Sequence, residues 1–281
     1  MEGEGLVLSR AAACLALLFV AGRPLHRLLQ RRLLSGIERA GMAVLAVLAA
    51  AASAWWALES VAAMTGTGIA ALDQPTVDMV LAATPLGKVM EWRLVALFAV
   101  IAAAAAPFKA LRLPVTSLAG AAALATIAFT GHAGASAHGL HRAADALHLL
   151  AAALWIAALA DFALAALSRS GPDIPALAGF ARTGSIVVAV LVLTGMANTL
   201  AIAGTLWPRP GLWHGLLALK LGLFGLMLAL AANNRWRVVP ALERAQPHAM
   251  GRLRRSVLFE LAAGLGVVGL VAVLGVIDPH G

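Results

Sequence analysis

The chain has 281 residues, 62% of them hydrophobic and 12% charged, with a mean hydropathy of +0.90. Soluble domains carry about 25% charged residues, so a soluble fold is excluded and a polytopic, all-α membrane helical bundle is expected. The formal charge of +8 sits in clusters between apolar runs. That is a mark of membrane topology rather than of a nucleic-acid groove.

Apolar periodicity predicts about eight spans, at 6–22, 40–63, 89–106, 114–131, 140–167, 182–203, 212–231 and 257–277. The opening MEGEGLVLSR is acidic, unlike a signal peptide, so the first span is read as retained. Alternate connections hold Arg23, Arg27, Arg31, Arg32 and Arg39, then Lys109 and Arg112, then Arg169 and Arg182, then Arg235 to Arg255. These face the cytoplasm by the positive-inside rule, which places both termini outside. Trp55, Trp56, Trp92, Trp207 and Trp213 fall near outer span ends, where an interfacial belt is expected. The longest outer connection, 64–88, is flanked by Met64, Met79 and Met90.

Four of the 8 histidines, His132, His138, His141 and His148, fall within 129–155, and His214 and His280 lie on the same outer side. His26 and His248 fall in cytoplasmic connections and read as solvated. His141 and His148 are seven residues apart, on nearly one helix face, separated by a rise of about 10 Å. One ion does not easily bind both, so the reading is a stepped path. His132, His138 and His141 form an outer step, and His148 a deeper one with partners from other helices, His132 and His214 among them.

Asp145 stands beside both His141 and His148 on that face. It is a candidate to orient an imidazole, to ligate, or to pair with Arg142. Asn198 and Lys220 fall at the depth of His148, and Asp161, Glu260, Asn233 and Asn234 nearer the cytoplasm. Polar groups in a bilayer are costly unless satisfied, so the set reads as a polar track. Lys220 opposes a simple cation channel unless Asp145 neutralises it or it loses its proton.

Cys14 is the only cysteine, so neither an internal disulfide nor a CxxC motif is available. Histidines with Met64, Met79 and Met196 suit copper better than zinc. No phosphate-binding GxxxxGK[ST] loop is present, and the chain is read as a non-enzyme.

The stretch GHAGASAHGLHRAADALHLLAAALW resembles the histidine-bearing motif of the CopD copper-resistance membrane proteins. LTGMANTLAIAG (193–204), LLALKLGLFGLMLALAANNRWRVVPAL (216–242) and LRRSVLFELAAGLGVVGLVAVLG (253–275) follow in the family's order. The likeness covers about 120 to the end and is looser before that. A single transmembrane domain is expected over 1–281, with the first spans at 1–113 and a CopD-like core at 114–281.

The resemblance implies a multi-pass bacterial inner-membrane protein for copper uptake from the periplasm and copper tolerance. It also implies a CopC-like periplasmic carrier as partner. The matching positions are His132, Asp145, His148, Trp155, Lys220 and Glu260. Two alternatives stay open. One is a b-type haem protein with His axial ligands. The other is a sensor or scaffold that binds copper without transport.

Overall fold

A backbone in hydrocarbon must satisfy its own hydrogen bonds, and helices do so within one segment. The structure, a computed structural model, describes residues 3–130, 139–168, 171–206 and 210–278. Among these residues there are helices and no strand. They are α1 (Glu4–Leu29), α2 (Gly36–Thr65), α3 (Gln74–Ala83), α4 (Pro85–Ala105), α5 (Lys109–Ala125), α6 (Gly139–Leu167), α7 (Ile174–Ala203), α8 (Leu212–Asn233), α9 (Val239–Glu243) and α10 (Ala249–Leu274).

Among the described residues, seven helices are long and apolar enough to cross a membrane. The expected third span is α4, which has 21 residues but carries Lys88, Glu91 and Arg93 near its start. It packs on both α2 and α5 and joins α5 through residues 106–108 alone, so it keeps the up-and-down alternation. The expected loop 64–88 contains the short helix α3. Asp73 caps it by accepting from the Thr76 amide at 2.9 Å.

Local signals set the ends of the rods. Ser35 and Glu38 form a reciprocal capping box at the start of α2. Gly66 and Gly204 stop α2 and α7 in the left-handed conformation. The first connection is shorter than expected, because α1 runs through Pro24 to Leu29. Arg23, His26 and Arg27 therefore ride on a helix. Arg27 reaches Glu38 at 2.7 Å and ties the two helix ends together.

The centre of the bundle is α1, packed against α2, α5, α6 and α10. Two glycines allow this closeness. A Cβ at Gly22 would overlap the Ala153 carbonyl of α6, and one at Gly120 on α5 would press on the Val20 carbonyl of α1. Leu17, Val20, Leu97, Ala123 and Ala153 fill the core there. A second core at the inner end gathers Trp155, Leu159, Phe162 and Leu253. The outer helices α7 and α8 pack on α6 and α10 respectively.

Arg10 Nη1 donates to the Gly275 carbonyl at 2.8 Å, so the beginning of α1 and the end of α10 share one face. The arginine-rich connections lie at the other face, the inner one.

One expectation is corrected. His26 is buried, not solvated. Its Nδ1 lies 3.0 Å from Asp161 Oδ2, and its Nε2 lies 3.0 Å from Gln30 Nε2. Phe162 and Phe180 pack edge-on to its ring. The extension of α1 explains the difference, because it carries His26 back against α6 instead of into solvent.

Candidate functional site

Helix α6 carries one stripe, His141, Asp145, His148, Ala152, Trp155, Leu159 and Phe162, with spacings alternating between four and three. That spacing keeps all seven side chains on one face. The stripe meets two cavities in turn. His141, Asp145, His148 and Ala152 line an outer one of about 190 Å³. Trp155, Leu159 and Phe162 line an inner one of about 550 Å³.

The walls of the outer cavity come from five helices. Arg10 and Cys14 (α1), Asn198 (α7), Trp213 and Lys220 (α8) and Gly275, just after α10, face the α6 stripe. His148 Nδ1 lies 2.9 Å from Thr194 Oγ1, whose own hydroxyl donates to the Val190 carbonyl. The Thr194 proton is thus committed, so Nδ1 donates and the ring's lone pair lies on Nε2. A second-helix hydroxyl thereby fixes both tautomer and ring plane, as partners of metal-binding histidines do.

His141 is 8% exposed, and its Nε2 has no partner among the described residues. Asp145 accepts from Asn198 Nδ2 at 3.0 Å, and its charged neighbours are His141, Lys220 and Arg10. Of the alternatives for Asp145, the Arg142 pair does not form, because Arg142 lies over the Phe129 ring at 5.8 Å. Lys220 has Asp145 as its electrostatic partner.

At the inner cavity, Glu260 is buried and accepts from Asn234 Nδ2 at 3.1 Å, with Trp155 lining the same cavity. Asn234 opens a π-helical turn, Asn234–Val238, that prolongs α8. Such widened turns re-aim side chains and recur at functional sites. Asp161 belongs to neither cavity. It faces α1, with His26 at 3.0 Å, Arg23 at 3.5 Å and Arg27 at 3.7 Å.

The other expected residues are scattered. His214 lies against the Trp213 ring at 5.1 Å between centroids and does not line the outer cavity. Its Nε2 is buried without a partner among the described residues. Met64, Met79 and Met196 are exposed. His132, His138, Trp207 and His280 lie outside the described residues. Among the described residues no three His, Cys, Asp or Glu side chains gather closely enough to hold an ion.

Sequence reasoning passed over Arg10 and Thr194 and placed Trp213 in an interfacial belt, whereas it is 4% exposed and lines the cavity. Arg10 carried a usable signal, a cation inside an apolar run. Thr194 and Trp213 carried none, since a hydroxyl or an indole in a span is ordinary.

Comparison with known proteins agrees with this architecture. Residues 174–274 match the family described as copper resistance protein D. Residues 1–143 match the copper resistance protein D-like N-terminal domain. Copper resistance protein D of Pseudomonas syringae pv. tomato is 37% identical over 232 residues, 73% of each chain. Inner membrane protein YebZ of Escherichia coli (strain K12) is 28% identical over 243 residues, 81% of this chain and 83% of the relative. No solved structure matches the chain.

Proposed function

Because this chain belongs to the copper resistance protein D family, we propose that it takes up copper across the bacterial inner membrane, from the periplasm toward the cytoplasm, and so supports copper tolerance. The observation that carries the reading is the single α6 stripe that meets both cavities. Copper would be received at the outer cavity by imidazoles, His148 through Nε2 and His141 through its unpartnered Nε2. Imidazole nitrogen suits copper, and the two rings, about 10 Å apart along the helix, act as successive steps rather than as one cage. His132 and His138 precede α6 in the chain, and we assign them the step of capture from solution or from a CopC-like carrier.

Passage inward then follows the stripe past Trp155 into the inner cavity, which Glu260 also lines. A monovalent cation moving inward gains about 2.3 kcal/mol per 100 mV of membrane potential. Uptake therefore needs no nucleotide hydrolysis.

The test is copper influx into proteoliposomes containing the whole chain. Wild type should accumulate copper under an inside-negative potential, and His148→Ala should not. Equal influx by both proteins would refute the path. A Soret band in the purified protein would favour the haem alternative, and copper binding with no influx would favour the scaffold.

A further inference from the structure

The outer cavity holds more fixed positive charge than a cation path requires. Among the described residues, Arg10 and Lys220 line it against a single carboxylate, Asp145, whose charged neighbours include both of them. Behind the same wall, Arg93 is buried with only neutral partners among the described residues. These are Thr126 Oγ1 at 2.8 Å, Met90 Sδ and the face of Trp56. Arg10 lies over that same Trp56 ring at 5.5 Å.

The cavity also presents donors that lack acceptors. Trp213 is 4% exposed and lines it, yet its Nε1 has no partner among the described residues. An indole N–H only donates. Arg10 uses Nη1 on the Gly275 carbonyl, while its buried Nε has no partner there. Buried donors are nearly always satisfied, by protein, by water or by a bound ion.

The remaining orphans are of the opposite kind. Asn198 Oδ1 on α7 offers lone pairs, and His141 Nε2 on α6 offers one when the ring's proton is on Nδ1. The cavity thus has a cation-seeking pole and an anion-seeking pole. The second pole is made by α1 and α8.

We propose that this second pole binds a small monovalent anion, such as chloride, between Arg10, Trp213 and Lys220. A volume of about 190 Å³ admits a small anion beside a metal ion. The anion offsets the surplus charge, so that a cation can settle at the imidazoles without meeting bare ammonium and guanidinium groups. The anion site stands on the cavity's own donors. Only its consequence for copper rests on the uptake reading.

The experiment uses copper-free, purified full-length protein. Chloride replaces gluconate at constant ionic strength, and the melting temperature is followed. A saturable rise with chloride is expected in wild type. Trp213→Phe keeps the ring and loses only the N–H, so it should fold and weaken the apparent chloride affinity about tenfold. Lys220→Met should abolish the rise. Identical melting in both salts, or an unchanged chloride response in both variants, would overturn the proposal. Because copper is absent, failure here is distinguishable from failure of the uptake reading.

Discussion

His26 Nδ1 lies 3.0 Å from Asp161 Oδ2, a buried link between the inner ends of α1 and α6. His26 is 1% exposed, with Phe162 and Phe180 each 5.7 Å away, centroid to centroid. The two phenylalanines also line the inner cavity, so the pair stiffens the wall behind it. His26→Ala removes the partner of a buried carboxylate and opens a void. The expected loss is about 2–4 kcal/mol, measurable as a lower denaturation midpoint in detergent. Asp161 keeps Arg23 and Arg27 nearby, so the protein should still fold.

His148 depends on Thr194 for its tautomer. Thr194→Val preserves shape and removes the acceptor of the Nδ1 proton. Loss of such an orienting partner typically lowers metal affinity about 10–100-fold. Competition with a Cu(I) chelator should register that loss, and His148→Ala should bind more weakly still. Equal affinity in Thr194→Val would remove the hydroxyl from the site.

Asp145 and Lys220 line the outer cavity together and influence one another electrostatically. Asp145→Asn should destabilise the protein, because Lys220 and Arg10 lose the one carboxylate that acts on both among the described residues. Adding Lys220→Met should restore part of the stability. The coupling expected from a double-mutant cycle is about 1–3 kcal/mol. Strict additivity would show that the two side chains act independently.

Gly22 and Gly120 carry the close approach of α1 to α6 and α5. Gly22→Ala places a methyl against the Ala153 backbone, which cannot yield as a flexible side chain would. The expected cost is about 1–3 kcal/mol or more, with lower yield of folded protein. Gly41→Ala has open space around it and serves as the control, with an unchanged midpoint.

Much of the architecture was legible in the chain. Apolar runs near 20 residues, separated by arginine-rich connections, dictate a helical bundle with a definite inner face, because hydrocarbon tolerates neither loose backbone nor unpaired charge. The stripe through His141, Asp145 and His148 was visible for the same reason: within a helix, sequence spacing is geometry. Less legible were the helix ends. The run 6–22 ended where Arg23 began, yet packing carried α1 through Pro24 to Leu29 and turned the expected solvent histidine into a buried one.

What α6 faces belonged to the tertiary structure alone. Arg10, Thr194, Trp213 and Lys220 come from three other helices, far apart in sequence. Hydropathy records how apolar a helix is but not which way it turns, and the turn is decided where glycines let backbones touch. Asp161 is the plainest case. Sequence depth placed it on the polar track, whereas the rotation of α6 points it at α1 and leaves the inner cavity to Glu260.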